Sequence, residues 1–421
     1  MPKRADAAAK EAAEQARSLA GHAVDSLPGG ALADKIKSAR AEERPLRVKL
    51  GIDPTAPDIH LGHAVVLRKL REFQDAGHRV VLIVGDYTAR VGDPSGRSSE
   101  RPMLSPAEID ANAATFQTQA LRILDGDPER LEVRRNGEWL DMKLDALLEL
   151  ARTTTAAQLL ERDDFAKRLA AGKPLSMLEL LYPLLQAYDS VAVRADVELG
   201  GTDQKFNLLL GRDVQRAYGQ PEQAILTMPL LVGTDGHRKM SKSLANEIGI
   251  TDPPGEMFGK TMSIPDEATG EYYRLLLEAP SHDSGRTATG GDGSALPGAL
   301  AGLSARDAKR ALARGLVTWL HSAEEAQEAE RQFDRMFVSH EAPEEVAEAR
   351  FSAADGVVHI PSVIAAEFGI SRSEARRLID QGGVTLGQSQ LAADEHDVPV
   401  ARADGQLLRV GRRRFRRLKA L

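Results

Sequence analysis

The stretch KLGIDPTAPDIHLGH, Lys49 to His63, decides how the rest of the chain is read. The apolar run LRVKLGI, Leu46 to Ile52, stops at Asp53-Pro54, and the turn formers Pro54, Pro57 and Asp58 lead into a helical pattern opened by His60-Leu61-Gly62-His63. The pattern predicts strand, loop, helix. Two histidines three apart in a first helical turn point the same way, and Gly62 between them withholds the side chain that would keep a ligand off the backbone. Free N–H groups and the positive end of the helix dipole favour an anion there, so the imidazoles suit phosphate. Taken alone, HxxH also describes two surface histidines on a solvated turn. No cysteine or other tight ligand cluster accompanies them to make a zinc site.

Working outward, His63 to Ala76 keeps helical apolar spacing, Gly77 closes it, and Val80 to Gly85 is a continuous apolar run that suits a buried parallel strand. Strand, helix, strand of this length implies a right-handed crossover, hence a doubly wound sheet with its ligand at the carboxyl ends of the strands. The next turn, Gly92-Asp93-Pro94-Ser95-Gly96, puts one carboxylate at the mouth of that crevice. Residues Ser105 to Gln186 read as a long, mostly helical insertion before the sheet resumes at Val191 to Leu199 and ends in Gly200-Gly201-Thr202-Asp203-Gln204. Two glycines let backbone approach a ligand, and an acid beside them suits ribose hydroxyls. Tyr182, Gln186 and Asp189 form a polar stripe at helical spacing, which faces either water or a pocket. A third strand, Ile225 to Val232, runs towards Lys239-Met240-Ser241-Lys242-Ser243, whose two ammonium groups can reach over a polyphosphate as point charges. A lone KxxK describes a solvated loop; the full pentapeptide after a strand is more specific.

Both ends of the chain carry less chemistry. Ala5 to Arg40 reads as one or two surface helices broken at Pro28-Gly29-Gly30. Asp252 to Ala349 is helical in pattern, interrupted by the Gly, Ser and Thr-rich connection Ser281 to Gly298. After a boundary near Ala353 to Gly356 comes a helix, Ser371 to Asp380, bearing Arg372, Arg376 and Arg377, then Gly382 to Leu386 and the run GRRRFRRLKAL. From Val357 onward there are 11 Lys and Arg against 7 Asp and Glu, +4, while the preceding residues carry -11 of the net -7. An acidic body with a basic end points to a small acidic substrate in the centre and a polyanion at the C-terminal end. The alternative for the final run is an unstructured solubility tail. Absence of cysteine excludes a disulfide framework and thiol catalysis. No apolar run approaches a membrane span, and the first residues are not those of a signal peptide, so a cytoplasmic protein without membrane attachment is expected.

His60 to His63 and Lys239 to Ser243 resemble the paired HIGH and KMSKS motifs of class I aminoacyl-tRNA synthetases. With DPTAPDIHLGH, GDPSG, YPLLQAYDS and GGTDQKFN in this order, the chain resembles the bacterial tyrosyl-tRNA synthetase family over essentially its whole length. Its last segment is similar to a small RNA-binding module first known from a ribosomal protein. The resemblance implies an α/β fold: N-terminal helices (1–45), then a Rossmann-type, doubly wound parallel-sheet catalytic domain (46–250, helical insertion about 105–186). An α-helical anticodon-binding domain (251–352) and a small basic α+β RNA-binding module (357–421) follow. It implies ATP, L-tyrosine and tRNA(Tyr) as substrates, Mg²⁺ on the phosphates with no resident metal, and a homodimer built through the insertion.

Carried over residue by residue, the resemblance puts Gly51, Asp53, His60, Gly62, His63, Asp203, Lys239 and Lys242 on ATP. His60, His63, Lys239 and Lys242 then serve catalysis. Asp93, Tyr182 and Gln186 grip the tyrosine ammonium, Asp189 accepts from its phenol, and Gln204 meets its carboxyl end. Arg372, Arg376, Arg377, Arg412, Arg413 and Arg414 are the expected tRNA contacts. One departure concerns Lys49, which stands where many family members place a tyrosine that touches the substrate hydroxyl; phenol recognition then rests more on Asp189. Rejection of phenylalanine would follow from a buried acceptor left unpaired, an effect for which the tyrosine enzyme is itself the known example. A tryptophan-specific relative shares the architecture, but the basic C-terminal module and Asp189 argue against it. A non-catalytic RNA-binding paralogue would not need phosphate-neutralising groups on both sides of one site, and a nucleotidyl- or pantetheine-transferring enzyme with HxGH would have no use for the RNA module.

Overall fold

A computed structural model describes residues 2–54, 58–92, 105–278, 297–337, 346–353, 356–387, 389–411 and 414–421. Chain contacts divide them into two units, Met1–Ala323 and Glu324–Leu421.

The first unit is built on six strands, β1 (Asp25–Leu27), β2 (Arg47–Ile52), β3 (Arg79–Val84), β4 (Leu131–Arg135), β5 (Val197–Gly201) and β6 (Ala224–Met228), in the order β1-β6-β5-β2-β3-β4. All neighbours are parallel except β1, which runs antiparallel along β6. From β2 the chain moves outward through β3 to β4, then crosses back to place β5 on the other side of β2. Strand order therefore reverses between β2 and β5, and a crevice opens there at their carboxyl ends. β3 and β6 are almost wholly buried, as their unbroken apolar sequences require. Helix Leu61–Asp75 packs on β3 and β5, and helix Lys205–Ala217 on β5 and β6. Helix Met177–Ala192 is started by a capping box: Ser176 Oγ accepts from Glu179 N at 3.2 Å, and Glu179 Oε2 accepts from Ser176 N at 3.0 Å.

Several element readings change. The N-terminal region is not a pair of surface helices alone. Its helices Pro2–Leu19 and Ala31–Ala41 bury Ala12, Ala16, Leu32 and Ile36, and β1 lies between them. The insertion contains β4, whose mixed charged sequence LEVRR hides an edge strand. Val191 belongs to the end of a helix rather than to a strand, because the helix runs to Ala192 and β5 begins only at Val197. Among the described residues, the segment from Asp252 to Phe337 is helical, but Glu348–Phe351 is already a strand of the next sheet. Most of the Ser281 to Gly298 connection lies outside the described residues.

The second unit carries a five-stranded sheet ordered Ser389–Gln390, Val384–Leu386, Leu407–Val410, Arg414–Ala420, Glu348–Phe351. Helices Ile360–Phe368 and Arg372–Asp380 share its core of Ile360, Ile364, Ala375, Ile379, Leu408 and Leu418. From Arg414 onward the basic run is thus no loose tail: Leu418 lies in that core, Phe415 is buried on the other face of the strand, and Arg414 and Arg417 stay exposed.

Candidate functional site

The first wall of the crevice begins where β2 ends. Asp53 is held by two hydroxyls, with Thr88 Oγ1 donating to Oδ1 at 2.7 Å and Tyr182 OH donating to Oδ2 at 3.0 Å. Gly85 makes this possible, because any Cβ there would overlap Asp53 Oδ1 and Thr88 Oγ1. His60 is the N-cap of helix Leu61–Asp75, and its ring stacks on that of His63 at 3.9 Å between centroids. His63 Nδ1 accepts from the His60 N–H at 3.3 Å, which assigns the ring proton to Nε2. Burial, then the neighbouring imidazole and Lys239, lowers His60 to about 2; burial and Lys239 lower His63 to about 4. At neutral pH both rings are therefore uncharged N–H donors rather than cations. His60 Nδ1 is buried without a partner. The space beside Gly62 is filled by the His60 ring, 3.0 Å from where a Cβ would stand, and by Met240 at 3.6 Å. Gly62 thus admits the packed imidazole and the opposite wall, a different use from open backbone approach.

The second wall follows β5 and β6. Gly201 carries no Cβ, which would stand 2.6 Å from Asp203 Oδ1, and the 3-10 turn Thr202–Gln204 leads into helix Lys205–Ala217. Lys239 Nζ lies 3.0 Å from Asp203 Oδ2, and Lys242 pairs with Asp58, holding that carboxyl below its usual range. Buried Asn246 braces this lysine loop: its Oδ1 accepts from Ser241 N at 2.8 Å, and its Nδ2 donates to Asp235 Oδ2 at 3.0 Å and to the Lys239 carbonyl at 3.2 Å. Just beyond, Gly249 bridges His60, with Leu61 N donating to Ile248 O at 2.9 Å and Ile250 N to Ile59 O at 3.0 Å. The histidine wall and the lysine wall are therefore joined backbone to backbone.

One cavity of about 560 Å³ is lined by Gly51, Asp53, His60, Gly62, His63, Tyr182, Gln186, Asp203, Gln204, Lys239 and Lys242. The sequence-predicted residues thus converge, and the Tyr182 and Gln186 stripe faces a pocket rather than water. Asp189 is set behind the lining, 3% exposed, with Trp139 Nε1 donating to Oδ1 at 2.8 Å and Asn136 Nδ2 to Oδ2 at 3.4 Å. Asp93, Arg412 and Arg413 lie outside the described residues. Arg372, Arg376, Arg377 and Arg414 are exposed in the second unit. Lys49 does not touch the cavity; it is fully buried against Glu198, Nζ to Oε1 2.8 Å.

Sequence reading missed several supports. Asn207 Nδ2 donates to both Gln186 Oε1 (2.7 Å) and Gln204 Oε1 (3.1 Å), and its own Oδ1 accepts from Arg162 Nη1 at 3.0 Å. Thr88, Gly85, Asp58, Trp139 and Asn136 likewise act through partners far away in sequence, whereas Asn246 braces its own loop, 5 to 11 residues from its partners. Asn207, three residues after Gln204, the N-cap of its helix, carried a local signal.

Residues 41–338 match the family model described as tRNA synthetases class I (W and Y). The sequence is 47% identical to the tyrosine--tRNA ligase of Moorella thermoacetica over 412 residues, 97% of this chain and 96% of that protein. It is 48% identical to the tyrosine--tRNA ligase of Thermotoga maritima over 407 residues, 96% and 97% of the two chains. In fold it is similar to the C-terminally truncated Aspergillus nidulans mitochondrial tyrosyl-tRNA synthetase, with a TM-score of 0.60 at 22% identity over 80% of this chain and 100% of that one. The Archaeoglobus fulgidus tyrosyl-tRNA synthetase complexed with L-tyrosine gives 0.58 at 22% identity, covering 76% and 99%.

Proposed function

This chain belongs to the class I tRNA synthetases of the tryptophan and tyrosine group, and from that premise we propose that its cavity performs the reaction of the tyrosine enzyme. The chain activates L-tyrosine with ATP to give tyrosyl-adenylate and pyrophosphate, then transfers tyrosine to the 3′-terminal adenosine of tRNA(Tyr). The observation that carries this reading is the meeting of two imidazoles, two ammonium groups and Asp203 around one cavity that also holds Tyr182 and Gln186.

The amino acid's carboxylate is already ionised at neutral pH, so its attack on the α-phosphorus needs no general base and no covalent nucleophile. It needs in-line positioning and compensation of charge as pyrophosphate leaves. His60 and His63 offer neutral N–H donors to the phosphates, Gly51 and Asp53 line the floor, and Asp203 takes the ribose. Lys239 and Lys242 exchange their carboxylate partners for pyrophosphate oxygens. Tyr182, Gln186 and Asp93 receive the tyrosine ammonium, Gln204 its carboxyl end, and Asp189 its phenol. Mg²⁺ supplies further charge neutralisation when it arrives on the triphosphate. Asp58 on the rim would be the carboxylate available to it, since Asp203 takes the ribose.

For tRNA, helices between 251 and 352 are proposed to meet the anticodon. Arg372, Arg376 and Arg377, with Arg412, Arg413 and Arg414, meet phosphates of the stem and variable arm in the module 357–421. A second copy of the chain is proposed to cover the insertion, where Leu144 (69%), Leu148 (58%) and Met177 (74%) stand exposed. A cytoplasmic location is proposed to go with tRNA charging, and no helix of the described residues is long and apolar enough to cross a membrane. Amino-acid-dependent ATP–pyrophosphate exchange across the standard amino acids tests the reading: tyrosine alone should support rapid exchange, and preference for tryptophan or for none would overturn it.

A further inference from the structure

Behind the amino-acid end of the cavity lies a buried charged network to which the reading above gives no task. Lys49 on β2 and Glu198 on β5 are register partners with side chains 0% and 1% exposed. The Lys49 ammonium donates to Glu198 Oε1 at 2.8 Å, to the Gln186 carbonyl at 3.0 Å and to Ser190 Oγ at 2.9 Å, which uses all three of its hydrogens. Gln186 and Ser190 bracket Asp189 on one helical turn. Ser190 Oγ donates onward to Glu198 Oε2 at 3.1 Å, and Gln223 Nε2 donates to the same oxygen. Gly211 leaves room for this cluster, since a Cβ there would stand 2.7 Å from Gln223 Nε2 and 3.2 Å from Glu198 Oε2. A buried ion pair seldom stabilises a fold more than apolar side chains of the same volume would. Its use lies elsewhere. Lys49 and Gly51 share one face of β2, and a Cβ on Gly51 would lie 4.0 Å from Asp189 Oδ2, so this strand face looks onto that carboxylate.

We propose that Lys49, held in place by Glu198, is a positioning residue for phenol recognition: it fixes the turn Gln186 to Ser190 against β2 and keeps Asp189 an ionised acceptor. This rests on reading the cavity as a tyrosine-activating site. Burial drives the Asp189 carboxyl up to about 6; Lys49 is the strongest group pulling it back, ahead of the Trp139 and Asn136 donors, and Glu198 pushes it upward more weakly. Other elements against this helix present little competing charge at that point. Helix Thr88–Val91 turns Arg90 over the Tyr87 ring, Asp145 and Glu149 of helix Leu144–Ala151 are exposed, helix Lys205–Ala217 offers uncharged Asn207 to Gln186, and Asp53 is engaged by Thr88 and Tyr182.

The test is the pH profile of kcat/KM for tyrosine in pyrophosphate exchange, measured on the full-length protein. Lys49→Met/Glu198→Gln removes both charges at similar volume; its acidic limb should move up by about one pH unit, the tyrosine KM at pH 7 should rise about tenfold, and kcat and the ATP KM should change less than about twofold. Glu198→Gln alone keeps the lysine and its hydrogen bonds, so its limb should move down. Opposite movements cannot come from a purely structural defect. Limbs that stay fixed, or move together, in variants with wild-type circular dichroism would overturn the inference. Should the double variant not fold, the direction of the limb in Glu198→Gln still decides. Wild-type exchange without tyrosine dependence would instead overturn the underlying reading of the cavity.

Discussion

At the scale of single residues, the site sets stability against function most plainly at Asp189. Burial raises its pKa from 3.8 to about 6, so between those values the folded state holds the proton that the unfolded state has lost. Its contribution to stability is full below pH 3.8 and disappears as pH rises through about 6, a loss of about 3 kcal/mol. Recognition of a phenol hydroxyl runs the other way, since the anionic acceptor forms only as pH rises through the same window. Asp189→Asn should therefore unfold at an equal or higher temperature than wild type at pH 7, by calorimetry, while tyrosine over phenylalanine selectivity in exchange drops about 10- to 100-fold. A variant that loses stability and keeps selectivity would remove Asp189 from the phenol site. Lys242→Ala tests the opposite wall. Adenylate formation should slow about 10²-fold with tyrosine binding almost unchanged, because the ammonium acts on the leaving pyrophosphate. Pre-steady-state fluorescence with tyrosine titrated separately distinguishes the two steps.

At the scale of elements, the strand-loop-helix of Lys49 to His63 and the apolar β3 were legible because each signal is local: a turn, a periodicity, a closing glycine. β1 and β4 were not. The first is three residues long, the second reads LEVRR, and both are made strands by pairing with β6 and β3 rather than by their own composition. The site shows the same division. His60, Asp203 and Lys239 announce themselves through motif spacing, whereas Thr88 and Trp139 take their roles only from partners brought in by the sheet, and Asn246 from the fold of its own loop. Asn246 gives the sharpest test, since one buried amide meets a loop N–H, a carboxylate and a carbonyl around Lys239 and Ser241. Asn246→Ala should cost about 1–3 kcal/mol of stability by denaturant melts and slow exchange with little change in the tyrosine KM. A normal exchange rate in a destabilised protein would mean the brace serves folding alone.

At the scale of the whole molecule, the candidate site and the basic surface fall in different units. The cavity lies entirely within Met1–Ala323, and the five-stranded sheet with its exposed arginines within Glu324–Leu421. A chain ending at residue 345 should keep tyrosine-dependent exchange within about twofold but charge tRNA at least tenfold more slowly, with the defect narrowing as salt rises, because the deleted arginines carry the salt-sensitive part of the affinity. Equal loss of both activities would make the second unit a structural support. The bridge between His60 and Gly249 has a further consequence for how this chain tolerates change in length. Surface loops ordinarily absorb insertions and deletions, yet the stretch from Ser243 to Ile248 is tethered at one end by the hydrogen bond from Ser241 N to Asn246 and at the other by the ladder to Ile59 and Leu61. One added or missing residue there would slide the lysines past the imidazoles, so, buried Asn246 and Ile248 apart, the segment is free to vary in spelling but not in number.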